Sequence, residues 1–216
     1  MNPGPLSCLI LLPLLGAVVQ FLPLRRGVSR GIALLVSLLC LGLTSWCLFI
    51  GMDSSVGGMQ FVERVPWLPE FGIAWLLGVD GLSLILLLLS SLIFFLAYLA
   101  SWKEKRAPRA YFSLLLLVQV GVHGVFLSGD LFLFFVFWEL VLLPMFFLIG
   151  GWGGEERRSA AWKFLLFTLS GSVLFLIALV ILGAKAGTFD IAALREVVPG
   201  WEGDQGWLGI SLPSWI

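Results

Sequence analysis

The chain has 216 residues, of which 60% are hydrophobic and only 12% charged, and its mean hydropathy is +1.05. Soluble domains run at about 45–50% apolar and about 25% charged, so the composition excludes a soluble globular protein and places the chain in a bilayer. Thirteen basic and thirteen acidic residues cancel, so the balance itself says nothing about nucleic-acid or acidic partners; for a chain in a bilayer no nucleic-acid partner is expected.

A helix needs about 20 apolar residues to cross a hydrocarbon core of about 30 Å. Six runs reach about that length: residues 5–24, 31–51, 78–102, 111–127, 131–150 and 159–184. The first has no basic residue before it and Arg25, Arg26 and Arg30 after it. That polarity is wrong for a cleaved signal peptide, so the run is read as a retained helix. The connections after the first, third and fifth runs hold nine Lys and Arg, and those after the second, fourth and sixth hold three. The basic side stays in the cytoplasm, which puts the N-terminus outside. The expected fold is therefore an all-α membrane protein with six transmembrane helices.

Two outer stretches do not span. Residues 51–77 place Pro66 and Pro69 among Trp67, Phe71 and Trp75, a pattern that breaks a long helix and suits an interfacial cap or hairpin. In the tail, 185–216, residues 190–197 suit a short amphipathic helix capped by Thr188 or Asp190, and residues 206–216 turn apolar again. The chain divides into an N-terminal helix pair with its outer loop (1–77), a four-helix part (78–184) and an outer tail (185–216).

Few polar residues interrupt the apolar runs. Glu139 lies near the middle of the fifth, where an ionised carboxylate costs about 2.5–3.5 kcal/mol on insertion scales. It must be neutral, paired, or turned toward protein and water, and each of those states is compatible with a proton site; a neutral acid that only ties helices together is the plain alternative. Its neighbours one turn away, Phe135, Val136, Leu142 and Leu143, offer no partner. Pro144 cannot donate to the carbonyl of Leu140, which bends the helix beside the acid and frees an acceptor there, or serves packing alone. Lys163 stands about one turn inside the sixth run, either snorkelling to the headgroups or lining a polar path with Glu139. Gln119 and His123 share one face of the fourth run, as a proton relay or as a neutral hydrogen-bonded pair. Thr168, Ser170, Gly171 and Ser172 favour close helix packing over a conduit. Asp80 reads as a structural helix cap.

Cys8, Cys40 and Cys47 have neither zinc nor iron–sulfur spacing, one histidine cannot supply two axial haem ligands, and no phosphate loop or nucleophile elbow appears. No metal or cofactor site is expected in this chain. Any redox cofactor belongs to a partner.

The segments GVDGLS from Gly78, SGDLFLFFVFWELVLLPMFFLIGGWG from Ser128, AAWKFLLFTLSGSVLFL from Ala160 and TFDIAAL from Thr188 resemble the antiporter-like membrane subunits of respiratory complex I, of the subunit M type. The first two helices match only in general character. The resemblance implies about fourteen helices built from two inverted five-helix repeats, so that this chain carries an incomplete antiporter-like bundle ending before the seventh helix. It implies a helix-5 glutamate, here Glu139, which pairs in the family with a helix-7 lysine, and it aligns Lys163 with the lysine that opens helix 6. The implied function is a part of the membrane arm of a proton-translocating NADH–quinone oxidoreductase in the inner (cytoplasmic) membrane, with NADH, flavin, iron–sulfur clusters and quinone held by partner subunits. A sodium/proton antiporter or membrane-bound hydrogenase subunit, or a nonfunctional fragment, is the alternative.

Overall fold

A computed structural model describes residues 4–198 apart from Leu24, Ser54 and Val56. The expected helix start at 206–216 lies outside the described residues. The elements follow in chain order: α1 (Pro5–Val19), α2 (Arg26–Trp46) running into a wider π turn (Cys47–Gly51), β1 (Gln60–Leu68), β2 (Ile73–Val79), α3 (Gly81–Ala100), α4 (Pro108–Leu127), α5 (Leu131–Trp152), α6 (Arg157–Ala186) and the short α7 (Ile191–Val197).

Five helices are long and apolar enough to cross a membrane, and α1, with 15 residues, is shorter. The six-span count is thus not reproduced. At 1.5 Å per residue α1 covers only about 22 Å. Its predicted inner end, Phe21–Leu22–Pro23, instead forms a turn locked by Gln20 and Ser29: the Gln20 amide donates to the Ser29 carbonyl at 2.9 Å, and the Ser29 hydroxyl returns a bond at 2.5 Å. Other boundaries moved by a few residues. The third predicted run loses its first residues to β2, and α2 starts five residues early at Arg26.

The helical membrane fold holds, and the outer loop takes the hairpin form that was one of the two expected for it. The outer loop is an antiparallel hairpin in which Val65 faces Trp75, turned through Pro69–Phe71. Gly72 closes the turn at φ 69°, a left-handed conformation that disfavours a side chain. A Cβ there would also lie 3.0 Å from the Gly187 carbonyl, because the turn rests on the outer end of α6. All of β2 except Trp75 is buried. Its position under the hairpin and over the helix ends explains why a strand so apolar resembles the start of a span.

Helices α1 to α4 form one packed group, α5 lies on α4, and α6 lies on α5. In the most apolar stretch of α4, 56% of residues are buried, against 11% for α6. Helix α4 is therefore the centre and α6 the edge. Two glycines let α5 come close: Gly121 faces Val141 and the Phe137 carbonyl, and Gly124 faces the Phe137 ring. Cys40 and Cys47 are fully buried, as small apolar packing residues should be.

Carboxylates, local and long-range, fix the outer ends. Glu63 of β1 accepts the backbone amide of Leu6 at 2.8 Å and the amide and hydroxyl of Ser7, capping α1 from the hairpin. Asp80 and Ser83 form a reciprocal capping box at the start of α3, both bonds 2.8 Å. Asp190 caps α7 and pairs with Arg64 of β1 at 3.1 Å. Both aspartate caps agree with the sequence.

Candidate functional site around Glu139

The depth of Glu139 is set nine residues earlier. Asp130 is 1% exposed, and its carboxylate accepts the amides of Phe132 (2.9 Å) and Leu133 (3.0 Å) at the start of α5 and of Ala74 (3.1 Å) in β2. Beside it Gly129 donates to Leu76 at 2.8 Å, Leu131 donates to Phe189 at 2.8 Å, and Ile191 donates to Gly129 at 3.0 Å. One aspartate thus pins α5 to the hairpin while the adjoining backbone pins it to the segment before α7. The sequence carried the signal, an acid directly before a long apolar run, but its use as a hub for three elements was missed.

From Leu131, eight residues of helix bring Glu139 about 12 Å inward. Phe137 and Val141 face α4, so at about 100° per residue Glu139 points to the opposite side of α5. Its Oε1 is buried and has no hydrogen-bond partner among the described residues. A buried polar atom left unpaired costs about 1–3 kcal/mol, more when charged. Helix α5 continues through Pro144 to Trp152, and the missing proline N–H leaves the Leu140 carbonyl without its helical donor.

Helix α6 runs antiparallel to α5. Phe135 meets Phe175 at 6.1 Å between ring centroids, and Phe146 meets Trp162 at 5.2 Å. This register puts Glu139 level with Ser170 and Gly171, and Lys163 level with Met145 and Phe146. The acid and the lysine are therefore about 10 Å apart along the helix axes, the lysine nearer the arginine-rich face. Lys163 is exposed, and no ion pair joins it to Glu139. The neighbouring hydroxyls are satisfied within α6: Thr168 donates to Phe164 at 2.7 Å, Ser170 to Leu166 at 2.7 Å and Ser172 to Leu169 at 3.1 Å. Of this group only Ser172 is buried; Ser170 and Gly171 are exposed and a Cβ at Gly171 would meet nothing within 4 Å, so the expected close helix packing is not seen there.

His123 and Gln119 are not at this site. Both are fully buried and face α1, α2 and α3. Gln119 accepts the Tyr98 hydroxyl at 3.0 Å, and its amide nitrogen has no partner among the described residues. His123 places Nδ1 3.1 Å from the Leu9 carbonyl, which fixes a proton there, and Nε2 3.2 Å from the Ser91 hydroxyl, itself 3.3 Å from Thr44. The polar residues therefore form two sets on opposite sides of the α4–α5 contact. Neither Tyr98 nor the Ser91–Thr44 pair was singled out in the sequence, because hydroxyls scattered over three apolar helices show no common spacing.

Among the described residues no three of His, Cys, Asp and Glu come together as metal ligands, and Cys8 lies on a different helix from Cys40.

Residues 128–213 match the family described as NADH:quinone oxidoreductase/Mrp antiporter, transmembrane. The chain is 40% identical over 194 residues to NAD(P)H-quinone oxidoreductase chain 4 2 of Microcystis aeruginosa, covering 88% of this chain and 35% of that protein. It is 39% identical over 174 residues to F(420)H(2) dehydrogenase subunit M of Methanosarcina mazei, covering 80% of this chain and 35% of that protein. A chain of respiratory complex I from Thermus thermophilus superposes with a TM-score of 0.77 at 30% identity, over 89% of this chain and 39% of that one. The chain thus spans about a third of the length of the curated relatives it matches. Residues 128–213 thus carry the transmembrane domain of the NADH:quinone oxidoreductase/Mrp antiporter family, and in its motifs and helix order the chain is similar to the antiporter-like membrane subunits of complex I.

Proposed function

We propose that this chain is part of a membrane-arm subunit in an inner-membrane complex that couples electron transfer to quinone with proton translocation. Glu139 is the group that takes up and releases the proton, and Lys163 is a cation that biases it. The NADH, flavin, iron–sulfur and quinone chemistry belongs to partner subunits, and the chain's own work is electrostatic. The observation that carries the reading is the buried, unpartnered Oε1 of Glu139, directed away from the packed core.

An unpaired carboxyl in hydrocarbon keeps its proton, and a cation brought to about 4–6 Å favours the carboxylate and drives the proton off. At an effective dielectric constant of about 20, a unit charge at about 5 Å is worth about 3 kcal/mol. Moving one charge against 100 mV costs about 2.3 kcal/mol. The switch is large enough, provided the energy that moves the cation comes from elsewhere in the complex. The axial gap to Lys163 is about 10 Å, beyond the range of a direct ion pair. His123 and Gln119 join this route only if water links them past Phe137, and we assign them a separate hydrogen-bonded role. The first relative is named for a quinone oxidoreductase and the second for a dehydrogenase, which favours a redox-linked reading over sodium/proton exchange.

The test is Glu139→Gln in membranes holding the assembled complex, with protons moved per electron pair as the readout. Gln keeps the shape and cannot ionise, so the ratio should drop while the chain still assembles. Lys163→Met should slow pumping without abolishing it. An unchanged ratio in Glu139→Gln overturns the proposal.

A further inference from the structure

The arginine-rich face carries a cavity of about 730 Å3 between the end of α1, the start of α2 and the start of α4. Arg25, Arg26, Lys105 and Arg109 line its rim, and among the described residues no acidic residue does. The nearest acid in sequence, Glu104, is occupied with the Arg106 amide at 2.6 Å. Arg109 uses one guanidinium nitrogen on the Leu22 carbonyl at 3.3 Å, which leaves the rest of its fork to the rim. Two helix N-termini open at the same place. Neither α2, preceded by Arg25, nor α4, preceded by Ala107, has a side-chain cap or an acid in its first turn. Four side-chain cations and two positive dipole ends therefore converge on a cavity that no acidic residue lines among the described residues.

The rest of the cavity has the opposite chemistry. Phe21, Leu114 and Leu117 form its apolar wall. On α4, Leu114 and Leu117 lie about 9 and 14 Å along the helix from Pro108, well into the hydrocarbon. A free anion would use the rim and leave this wall empty. A second cavity on the same face, lined by Glu155, Glu156, Arg157 and Arg158, has balanced charges and no such wall.

We infer that the cavity between α1, α2 and α4 binds an anionic phospholipid, with the phosphodiester held by Arg25, Arg26, Lys105 and Arg109 and an acyl chain laid along Leu114 and Leu117. This does not depend on the proton-carrying role of Glu139, and it would hold if that role failed.

The full 216-residue chain in neutral detergent is titrated with phosphatidylglycerol or phosphatidylcholine, and bound lipid is counted by native mass spectrometry. Phosphatidylglycerol should be retained and phosphatidylcholine should not. Arg26→Gln/Arg109→Gln keeps seven of the nine inner basic residues, so the orientation rule still holds, and should weaken binding about 30-fold, at about 1 kcal/mol per basic group. Arg26→Lys/Arg109→Lys should retain most binding, and Arg157→Gln/Arg158→Gln should retain all of it. If the double Gln variant loses helicity by circular dichroism, Lys105→Gln replaces it, with about a fivefold loss expected. Equal binding of the two lipids, a double Gln variant that binds normally, or release of lipid by excess inorganic phosphate would each overturn the inference.

Discussion

Replacing Asp130 by alanine removes three hydrogen bonds at 2.9, 3.0 and 3.1 Å from a position that is 1% exposed. Loss of the helix cap alone costs about 1 kcal/mol and up to about 2. The Ala74 amide, stranded inside the outer layer, adds about 1–3 kcal/mol. A combined cost of about 3 kcal/mol corresponds to roughly a hundredfold change in a local opening equilibrium. Amide hydrogen exchange in nanodiscs reads this directly, because the amides of Phe132, Leu133 and Ala74 report opening of the hub. In Asp130→Ala all three should exchange about a hundredfold faster, while amides in the middle of α4 stay protected. Asp130→Asn keeps one acceptor oxygen and should show a change of about tenfold. Exchange within threefold of the parent at all three amides would refute the assignment of Asp130 as the anchor that sets the depth of Glu139.

Two further outcomes follow from the same packing. A Cβ at Gly121 would press on Val141 and lie 3.1 Å from the Phe137 carbonyl, which cannot move aside as a side chain can. Gly121→Ala should therefore destabilise by about 1–3 kcal/mol in thermal unfolding in detergent, whereas Gly42→Ala, with nothing within 4 Å, should be neutral or stabilising. The Ser83 backbone amide holds the Asp80 carboxyl below its ordinary value of 3.8. A carboxyl with a lowered folded-state value adds stability that is complete above 3.8 and lost as pH falls through the folded value. Exchange at the start of α3 should accordingly rise only in that acid window, and Asp80→Ala should remove the pH dependence.

Much of the fold could be read from hydropathy, because a bilayer demands long apolar helices and little else produces such runs. The failures have specific causes. Strand β2 is nearly as apolar as a span because the hairpin shields it, so hydropathy merged Gly78 and Val79 with α3. Helix α1 was drawn too long because Phe21 and Leu22 are apolar in a turn fixed by Gln20 and Ser29. Caps provided by the helix's own flanking residues, Asp80 and Asp190, were visible in sequence. Glu63 was not, since it caps α1 from more than 50 residues away and only the folded hairpin brings it there. At the site, Glu139 stood out because a lone carboxyl in an apolar run has no cheap explanation. Its separation from His123 was invisible, because helical spacing relates residues within α4 or within α5 and says nothing about which sides of two helices meet.

The most direct measurement is infrared difference spectroscopy of the assembled complex in its membrane, with Glu139→Gln as the reference. Glu139 should give a protonated-carboxyl C=O band that is absent from the variant, shifts in deuterated water, and decreases while the complex turns over. A Glu139 that stays ionised in the resting complex, or a carboxyl band that neither exchanges nor changes during turnover, would contradict its proton-carrying role.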